Sequence, residues 1–263
     1  MIQLVACDLD GTLMGDGHLM RPRVREAVAE ALDQGITVTL ATGRMFSATA
    51  PFARELGITA PLICYQGGWI QALGGPVLHR APLPEAQARA ALAMGREQAW
   101  HTVLYADGRL FVDAMIHPRR FYEELLGPDP VVARDLATVL DEHVPDKVLF
   151  VADPDEIPAM ARHLSDRFGS TTEVVQSHAR FVEVVPQGVD KGRALAFLAD
   201  HLGVPQASVL AIGDRQNDIP MIGWAGVGVA MGNGVPEVKT AADWVAPSFG
   251  EDGAAVALER YLR

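Results

Sequence analysis

Residues 2–12 read Ile-Gln-Leu-Val-Ala-Cys-Asp-Leu-Asp-Gly-Thr, an apolar run that ends in two acids. The apolar part, residues 2–7, predicts a buried strand, which places Asp8 and Asp10 at its carboxyl end. A solvated turn also favours Asp and Gly, so the stretch has a purely structural interpretation as well. However, two ionised carboxylates two residues apart repel each other unless a cation lies between them. The stretch therefore favours a site for Mg²⁺, which takes one or two protein carboxylates and completes its shell with water and phosphate oxygens.

The chain on both sides of this stretch alternates between strand and helix patterns. Residues 22–34, for example, carry Val24, Val28 and Leu32 at helical spacing and are followed by Gly35. Strand patterns occur at residues 2–7, 36–41, 61–65, 208–212 and 227–230, and helix patterns at 22–34, 46–56, 191–202, 218–223 and 252–262. Strands that alternate with helices are typical of a parallel sheet, so we expect an α/β fold.

The middle of the chain has a different pattern. It combines a hairpin, a further strand and two helices, at residues 102–113, 181–185, 85–98 and 155–167. This mixture predicts an α+β domain inserted into the α/β one. We therefore expect residues 1–80 and 187–263 to form the core domain and residues 81–186 to form the inserted domain.

The composition limits the classes of function. The 263 residues are 49% hydrophobic and 21% charged, which is typical of a folded globular chain. The formal net charge of -11 argues against nucleic acid as a partner, because such binding depends on neutralisation of phosphates by Lys and Arg. No apolar stretch approaches the ~20 residues of a membrane span, and no basic region precedes the first apolar run as in a signal peptide. We expect a cytoplasmic protein without a membrane partner, and the sequence predicts no particular oligomeric state.

Two further polar clusters follow predicted strands. They are Thr42-Gly43-Arg44 and Gly213-Asp214-Arg215-Gln216-Asn217-Asp218. Because ligands of open α/β sheets bind at the carboxyl ends of the strands, we expect both clusters to lie at one edge with Asp8. Taken alone, Thr42 could be a helix N-cap, and the two acids of the second cluster could stabilise a helix N-terminus. Beside Asp8, the Thr42 hydroxyl and the N–H of Gly43 become donors to a phosphoryl oxygen.

Lys191 also has two interpretations. A lysine exposed on a helix surface is the common case. Here, however, Asp190 has the residue type of an N-cap, so the Lys191 ammonium would lie at the positive end of the helix dipole, where cations are disfavoured. An anionic neighbour would resolve this conflict. The acids of the strand ends supply such neighbours, and they predict a pocket that a divalent cation would make tolerable: Asp8, Asp10, Asp214 and Asp218.

These clusters resemble the four signatures of the haloacid dehalogenase superfamily, and within it the Cof-type (subclass IIB) sugar-phosphate phosphatases. The residues similar to the signatures are 8–12, 42–44, Lys191 and 213–218, with further similarity at 186–192, 229–233 and 251–253. The resemblance implies a Rossmann-like core with a parallel sheet and an inserted C2-type cap between the second and third signatures. The chain departs from the family where Gln66-Gly67 stands in place of the common Asn-Gly, and where Asn233-Gly234 stands in place of Asn-Ala.

The resemblance implies Mg²⁺-dependent hydrolysis of small phosphate monoesters, such as sugar phosphates, through an aspartyl-phosphate. It implies Asp8 as nucleophile, Asp10 as acid and base, and Thr42 and Lys191 as neutralising groups. The implied metal site comprises Asp8, Asp10, Asp214 and Asp218, with Asp214 as the remaining carboxylate ligand and Asp218 in support. The residues expected near the substrate are Leu9, Gly11, Gly43, Arg44, Gln66, Gly67, Asn217, His178 and Arg180. For five of them, Arg44, Gln66, Gly67, His178 and Arg180, the expectation rests on their polarity and their place beside the hinge.

Two alternative functions remain open at this point. A phosphotransferase of the phosphomannomutase type would use the same aspartyl-phosphate and pass the group to another hydroxyl, and exclusion of water by the cap would decide between the two. A non-catalytic sensor of phosphate ligands would need the binding groups but no nucleophile. The presence of Asp8 therefore argues for an enzyme.

Overall fold

The computed structural model describes residues 1–15, 17 and 19–262, and the chain divides into two compact units. The first unit contains residues 1–43, 49–79 and 190 onward, and the second contains residues 44–48 and 80–189. The sequence predicted boundaries after residues 80 and 186, whereas the units divide after residues 79 and 189. Segment 44–48 was expected in the core domain and groups with the second unit instead.

The elements are numbered in chain order. The strands are β1 (Leu4–Cys7), β2 (Thr37–Leu40), β3 (Leu62–Cys64), β4 (Trp69–Gln71), β5 (Val77–Arg80), β6 (His101–Ala106), β7 (Arg109–Val112), β8 (Val131–Val132), β9 (Pro145–Val151), β10 (Thr172–His178), β11 (Phe181–Pro186), β12 (Val209–Gly213), β13 (Val227–Ala230) and β14 (Trp244–Val245). The helices are α1 (Pro22–Asp33), α2 (Phe46–Glu55), α3 (Glu85–Glu97), α4 (Arg119–Leu125), α5 (Leu136–Val139), α6 (Ile157–Phe168), α7 (Lys191–His201), α8 (Ile219–Trp224), α9 (Pro236–Ala241) and α10 (Gly253–Leu262).

The first unit is built on a parallel sheet with the strand order β14-β13-β12-β1-β2. Strand β1 lies inside this sheet, and all four of its residues are fully buried. Burial on both faces explains why β1 is a continuous apolar run rather than an alternating one. A bridge between Ala41 and Ile63 continues the parallel arrangement to β3, which forms a second, three-stranded sheet with β4 and β5.

The second unit has a six-stranded sheet with the order β10-β11-β9-β6-β7-β8. Its pairings are antiparallel except for β7 with β8. Apolar residues from one face of the sheet, such as Val148 and Val184, form a core with residues of α3 and α6, such as Leu92 and Leu164. The expected fold class, an α/β core with a parallel sheet plus an α+β insertion, is confirmed.

Strand β9 carries two buried charged residues near its start. Asp146 accepts hydrogen bonds from the guanidinium of Arg80 at 2.9 Å and from the N–H of Gly108 at 3.0 Å. Lys147 donates to Glu183 on β11 at 2.5 Å, and both side chains are almost completely buried. Each buried charge thus has an ionic partner, as burial of a charge requires. Across the described residues, none of the helices has the length and apolar character needed to cross a membrane.

Candidate active site

The strand register brings two of the predicted acids to the same edge of the parallel sheet. Cys7 at the end of β1 is opposite Ile212 of β12, and the N–H of Asp8 donates to the carbonyl of Ile212 at 2.9 Å. Asp8 therefore leaves the sheet directly beside the end of β12, where Asp214 follows. Both side chains are buried, at 5% and 4% exposure. The expectation that the carboxyl ends of these strands collect the polar residues agrees with this geometry.

Lys191 lies between two of these acids. It is the first residue of α7, and the N-cap Asp190 accepts a hydrogen bond from the N–H of Arg193 at 2.8 Å. The Lys191 side chain has no exposed surface, and its Nζ donates to Asp8 Oδ1 at 2.6 Å and to Asp218 Oδ1 at 2.5 Å. The two carboxylates supply the anionic neighbours that an ammonium at a helix N-terminus requires.

Asp218 is held on both of its oxygens. Oδ1 accepts from Lys191, and Oδ2 accepts from the backbone N–H groups of Asp214 and Arg215, at 2.9 and 3.0 Å. Asp218 therefore fixes both the lysine and the loop that carries Asp214. This arrangement favours the supporting role predicted for Asp218 over direct ligation of a cation.

The acids form a cluster that fits a hard cation. Carboxylate oxygens of Asp8, Asp214 and Asp218 all lie within 4.8 Å of one another. Asp214 Oδ1 is buried and has no hydrogen-bond partner among the described residues. A buried carboxylate oxygen without a donor is unfavourable, and oxygen is the ligand atom that Mg²⁺ prefers. The donor set is thus suited to Mg²⁺.

The pKa values of the cluster reflect its burial and its excess of negative charge. Burial, followed by the charge of Asp218, raises the pKa of Asp8 well above its usual range, although Lys191 opposes the shift. Burial and Asp218 likewise raise the pKa of Asp214 to about 7. Burial lowers the pKa of Lys191, but Asp218 and Asp8 outweigh it, so that the pKa is raised and the lysine stays charged. One ammonium does not balance these carboxylates, which is why a divalent cation would stabilise their ionised forms.

The loop after β1 is shaped by a close approach to Asp214. Gly11 has φ of +87°, and a Cβ on it would lie 2.4 Å from Asp214 Oδ2, so no larger residue fits without movement. The carbonyl of Gly11 accepts from Asn233 Nδ2 at 2.9 Å, and Asn233 Oδ1 accepts from the N–H of Phe249 at 2.7 Å. Asp10 is half-buried and contributes, after burial and Asp218, to the raised pKa values of Asp8 and Asp214.

Asn233 is a contributor that we did not predict as a site residue. It follows the end of β13 at Ala230 and thus has the same strand-end position as the predicted clusters. That position is the signal by which the sequence could have indicated it. Its contact with Gly11 anchors the loop that carries Asp10.

Thr42 and Gly43, the phosphate-binding residues predicted after β2, belong to the first unit. Thr42 is buried, its N–H donates to the carbonyl of Ile63 at 2.9 Å, and its carbonyl accepts from the N–H of Gln66 at 3.1 Å. Gln66 is also buried, and its Oε1 accepts from Asn217 Nδ2 at 2.9 Å. Gly43 approaches the Gln66 side chain so closely that a Cβ would lie 2.2 Å from Nε2. The structure thus brings the second and fourth signatures together through Gln66.

The remaining predicted residues of the first unit are Leu9 and Gly67. The Leu9 side chain is fully buried, so a contact with substrate would have to come from its backbone. Gly67 has φ of +109° and lies against the carbonyl of Asp190, just before α7. Both residues support the loops that carry the polar groups.

The other three predicted substrate contacts belong to the second unit, so their place near a substrate stays a prediction. Arg44 is almost buried and donates to the carbonyl of Glu124 at 3.0 Å. His178 accepts at Nδ1 from the N–H of Arg180 at 3.2 Å. The guanidinium of Arg180 lies over the ring of Phe121, 5.4 Å from its centroid.

The similarity to known proteins extends over nearly the whole chain and is not limited to the motifs. A family model described as "haloacid dehalogenase-like hydrolase" matches residues 5–258. The HMP-PP phosphatase of Enterobacter sp. (strain 638) is 31% identical over 90% of this chain and 87% of its own. The 5-amino-6-(5-phospho-D-ribitylamino)uracil phosphatase YitU of Bacillus subtilis (strain 168) is 29% identical over 98% of this chain and 97% of its own. A solved structure of a haloacid dehalogenase-like hydrolase from Bacteroides thetaiotaomicron has a TM-score of 0.85 at 30% identity, with 99% of each chain covered.

Proposed function

From the premise that this chain belongs to the haloacid dehalogenase-like hydrolases, we propose that it is a phosphatase that uses Mg²⁺ to hydrolyse small phosphorylated metabolites through an aspartyl-phosphate. The family resemblance inferred from the motifs is confirmed by the family model. Relatives that are named phosphatases, two of them after small phosphorylated compounds, support the substrate class. The observation that carries the proposal is the buried ion pair of Asp8 with Lys191 at 2.6 Å, beside Asp214, whose buried Oδ1 has no hydrogen-bond donor among the described residues.

Asp8 is the proposed nucleophile. Its carboxylate attacks phosphorus, the bond to the leaving alkoxide breaks, and an acyl phosphate forms on Asp8. Lys191 holds one oxygen of Asp8, which fixes the rotamer and leaves the other oxygen for the attack. Burial and neighbouring acids raise the pKa of Asp8, and the ammonium of Lys191 opposes this shift and so favours the ionised nucleophile.

Asp10 is the proposed acid and base. It is half-buried two residues after Asp8, with its loop anchored by the contact of Asn233 with the Gly11 carbonyl. In the first step Asp10 would protonate the leaving alkoxide. In the second step the same carboxylate would take a proton from the water that attacks the acyl phosphate and regenerates Asp8.

Thr42, Gly43 and Lys191 are proposed to neutralise the charge of the transferred group. The hydroxyl of Thr42 and the N–H of Gly43 are neutral donors, and the Lys191 ammonium adds a positive charge. Mg²⁺, held by Asp8, Asp214 and the carbonyl of Asp10 with Asp218 in support, would supply charge neutralisation between the nucleophile and the phosphoryl oxygens. We also propose that the second unit is the domain that determines substrate specificity.

Hydrolysis of p-nitrophenyl phosphate tests the proposal. We expect activity with Mg²⁺, loss of activity with excess EDTA, and a fall in kcat of at least about 10³-fold in Asp8→Asn. Asp33→Asn is the matched control, because Asp33 is an exposed acid at the end of α1. Acid quenching during turnover, followed by mass spectrometry, should show one added phosphoryl group on the peptide that contains Asp8.

Two results would contradict the proposal. Full activity of Asp8→Asn excludes this residue as nucleophile, and activity that EDTA does not change excludes the metal.

A hexose 1-phosphate as substrate tests the alternative function, a phosphotransferase of the phosphomannomutase type. Release of inorganic phosphate without a 6-phosphate product supports the phosphatase, whereas formation of the 6-phosphate indicates a phosphomutase.

A further inference from the structure

The corner after β3 has an unusual backbone. Tyr65, Gln66 and Gly67 have φ values of +52°, +61° and +109°, so three consecutive residues lie at positive φ and two of them carry a Cβ. Such conformations are unfavourable for residues other than glycine, and they persist where the surrounding structure holds them. Here the N–H of Gln66 donates to the carbonyl of Thr42, and Gly67 lies against the carbonyl of Asp190. The corner therefore directs the Gln66 side chain into the site.

The Gln66 side chain lies between two signature residues. Its Oε1 accepts from Asn217 Nδ2 at 2.9 Å, and its Nε2 lies where a Cβ of Gly43 would be. A residue larger than glycine at position 43 would displace this amide. The absence of a side chain on Gly43 thus makes room for the amide of Gln66.

The partner amide has one oxygen that the protein does not satisfy. Asn217 Oδ1 is buried and has no hydrogen-bond partner among the described residues. A buried acceptor without a donor is uncommon, and it calls for a ligand or an ordered water. Because Nδ2 of the same amide is held by Gln66, Oδ1 has a fixed direction. A flipped Asn217 amide would place two acceptor oxygens against each other and lose the hydrogen bond.

We propose that Gln66 is a positioning residue that fixes the Asn217 amide, so that Asn217 Oδ1 accepts a hydrogen bond from an O–H group in the active site. The inference rests on the proposed function, because a bound phosphoryl group is the anion that would orient the Gln66 amide. A phosphoryl group beside Gly43 would favour the Nε2 amino group of Gln66 on the side facing Gly43, and Oε1 would then face Asn217. The O–H group is either a hydroxyl of the leaving group or a water beside the reacting phosphate.

A double-mutant cycle tests the relation between the two amides. Gln66→Met keeps the length of the side chain and removes its acceptor, and Asn217→Ala removes the partner. We expect Gln66→Met to lower kcat/KM about tenfold in the wild-type background and less than about twofold in the Asn217→Ala background. Equal losses in the two backgrounds would overturn the proposal. Gln71→Met is the matched control, because Gln71 on β4 also makes two amide hydrogen bonds. It accepts from the indole N–H of Trp69 and donates to the carbonyl of Gly75.

A second variant separates positioning from folding. Asn tolerates positive φ well, so Gln66→Asn should keep the wild-type Tm. Its amide is one methylene shorter and does not reach Asn217, so we expect its kcat/KM to match that of Gln66→Met. Wild-type kinetics of Gln66→Asn would show that the backbone conformation, and not the amide contact, is what matters at this position.

Two substrates identify the source of the O–H group. A penalty from Gln66→Met with a hexose 6-phosphate but not with phenyl phosphate assigns the donor to a leaving-group hydroxyl. An equal penalty with both assigns it to water, and no penalty with either contradicts the proposal. Side-chain amide NMR signals give a readout without turnover. Inorganic phosphate should shift the Asn217 side-chain amide signals in the wild type and not in Gln66→Met. Equal shifts in both proteins would refute the positioning role of Gln66, even if the protein proved to have no phosphatase activity.

Discussion

Replacement of Lys191 by methionine removes the ammonium that lies between two buried carboxylates. The side-chain exposures of Lys191, Asp8 and Asp218 are 0%, 8% and 0%, and the two N···O distances are 2.6 and 2.5 Å. Loss of one partner from a buried ion pair destabilises a protein by about 3–5 kcal/mol. Here one cation serves two acids, but protonation of an acid limits the loss. We expect Lys191→Met to lower the free energy of unfolding by about 4 kcal/mol, or Tm by about 8–16 °C.

The measurement should report on the first unit alone. Of the four tryptophans, Trp69, Trp224 and Trp244 lie in the first unit and Trp100 lies in the second. Urea unfolding followed by tryptophan fluorescence in a Trp100→Phe background, with EDTA present, therefore reports on the unit that contains Lys191. Lys239→Met is the control, because Lys239 on α9 forms no ion pair with any residue that the structure describes, and we expect a change within about 0.5 kcal/mol.

A compensating variant tests the electrostatic origin of the effect. Asp218→Asn removes one of the two negative charges, and its amide oxygen can still accept from the N–H groups of Asp214 and Arg215. In the double variant, Lys191→Met with Asp218→Asn, we expect about 1–3 kcal/mol less destabilisation than the sum of the two single changes. A loss below about 1 kcal/mol in Lys191→Met, or strict additivity in the double variant, would refute the reasoning.

Three further outcomes are expected. Gly11→Ala should destabilise the protein by about 1–2 kcal/mol more than Gly35→Ala, and it should also abolish most of the activity. Both glycines have left-handed φ, but only at Gly11 does a Cβ meet Asp214. Equal losses of stability in thermal unfolding would contradict this explanation. Burial and the charge of His117 lower the pKa of His101 from 6.5 to about 4, so between these pH values the unfolded chain binds more protons than the folded one. Stability should therefore fall as the pH drops from about 6.5 to about 4. His101→Gln should flatten this part of the plot of urea midpoint against pH, and an unchanged slope would exclude His101 as its source. Mg²⁺ at about 100 times its Kd should stabilise the EDTA-treated protein by about 2.7 kcal/mol, and Asp214→Asn should abolish the effect in differential scanning fluorimetry; an equal shift in the variant would place the ion elsewhere.

The parallel core could be predicted because its strands are buried on both faces. Such strands are short apolar runs between glycines and polar clusters, and β13 at Val227–Ala230 has the predicted bounds. Helices α1 and α7 were indicated by helical spacing together with Pro22 and Asp190 at their starts. These signals are local in sequence, so they survive without knowledge of the tertiary structure.

Strands β9 and β10 were missed because their signals are not local. Strand β9 begins Pro-Asp-Lys, which is typical of an exposed turn, yet all seven of its residues are buried. The partners that make this possible, Arg80 for Asp146 and Glu183 for Lys147, are 66 and 36 residues away. Burial of a charge depends on such a partner, and a sequence pattern does not show it.

The same distinction applies to the candidate site. Asp8, Asp214 and Asp218 could be predicted to meet because each lies just after a strand of one sheet, and their ligand atoms lie within 4.8 Å. The contact of Gln66 with Asn217 joins residues 151 positions apart and depends on a left-handed corner. No period or motif encodes that contact, so both residues could be predicted as substrate contacts but not as partners of each other.

The strand order has a consequence for how the protein is made. Strand β1 is synthesised before its neighbour β12, which is about 200 residues later in the chain. Until the ribosome has released that segment, one edge of β1 has no native partner, and an unpaired apolar strand edge is prone to association with other chains. The inserted six-stranded unit is complete by residue 189 and can fold first. Nascent chains arrested before residue 209 should therefore require chaperones, whereas chains that extend past β12 should not.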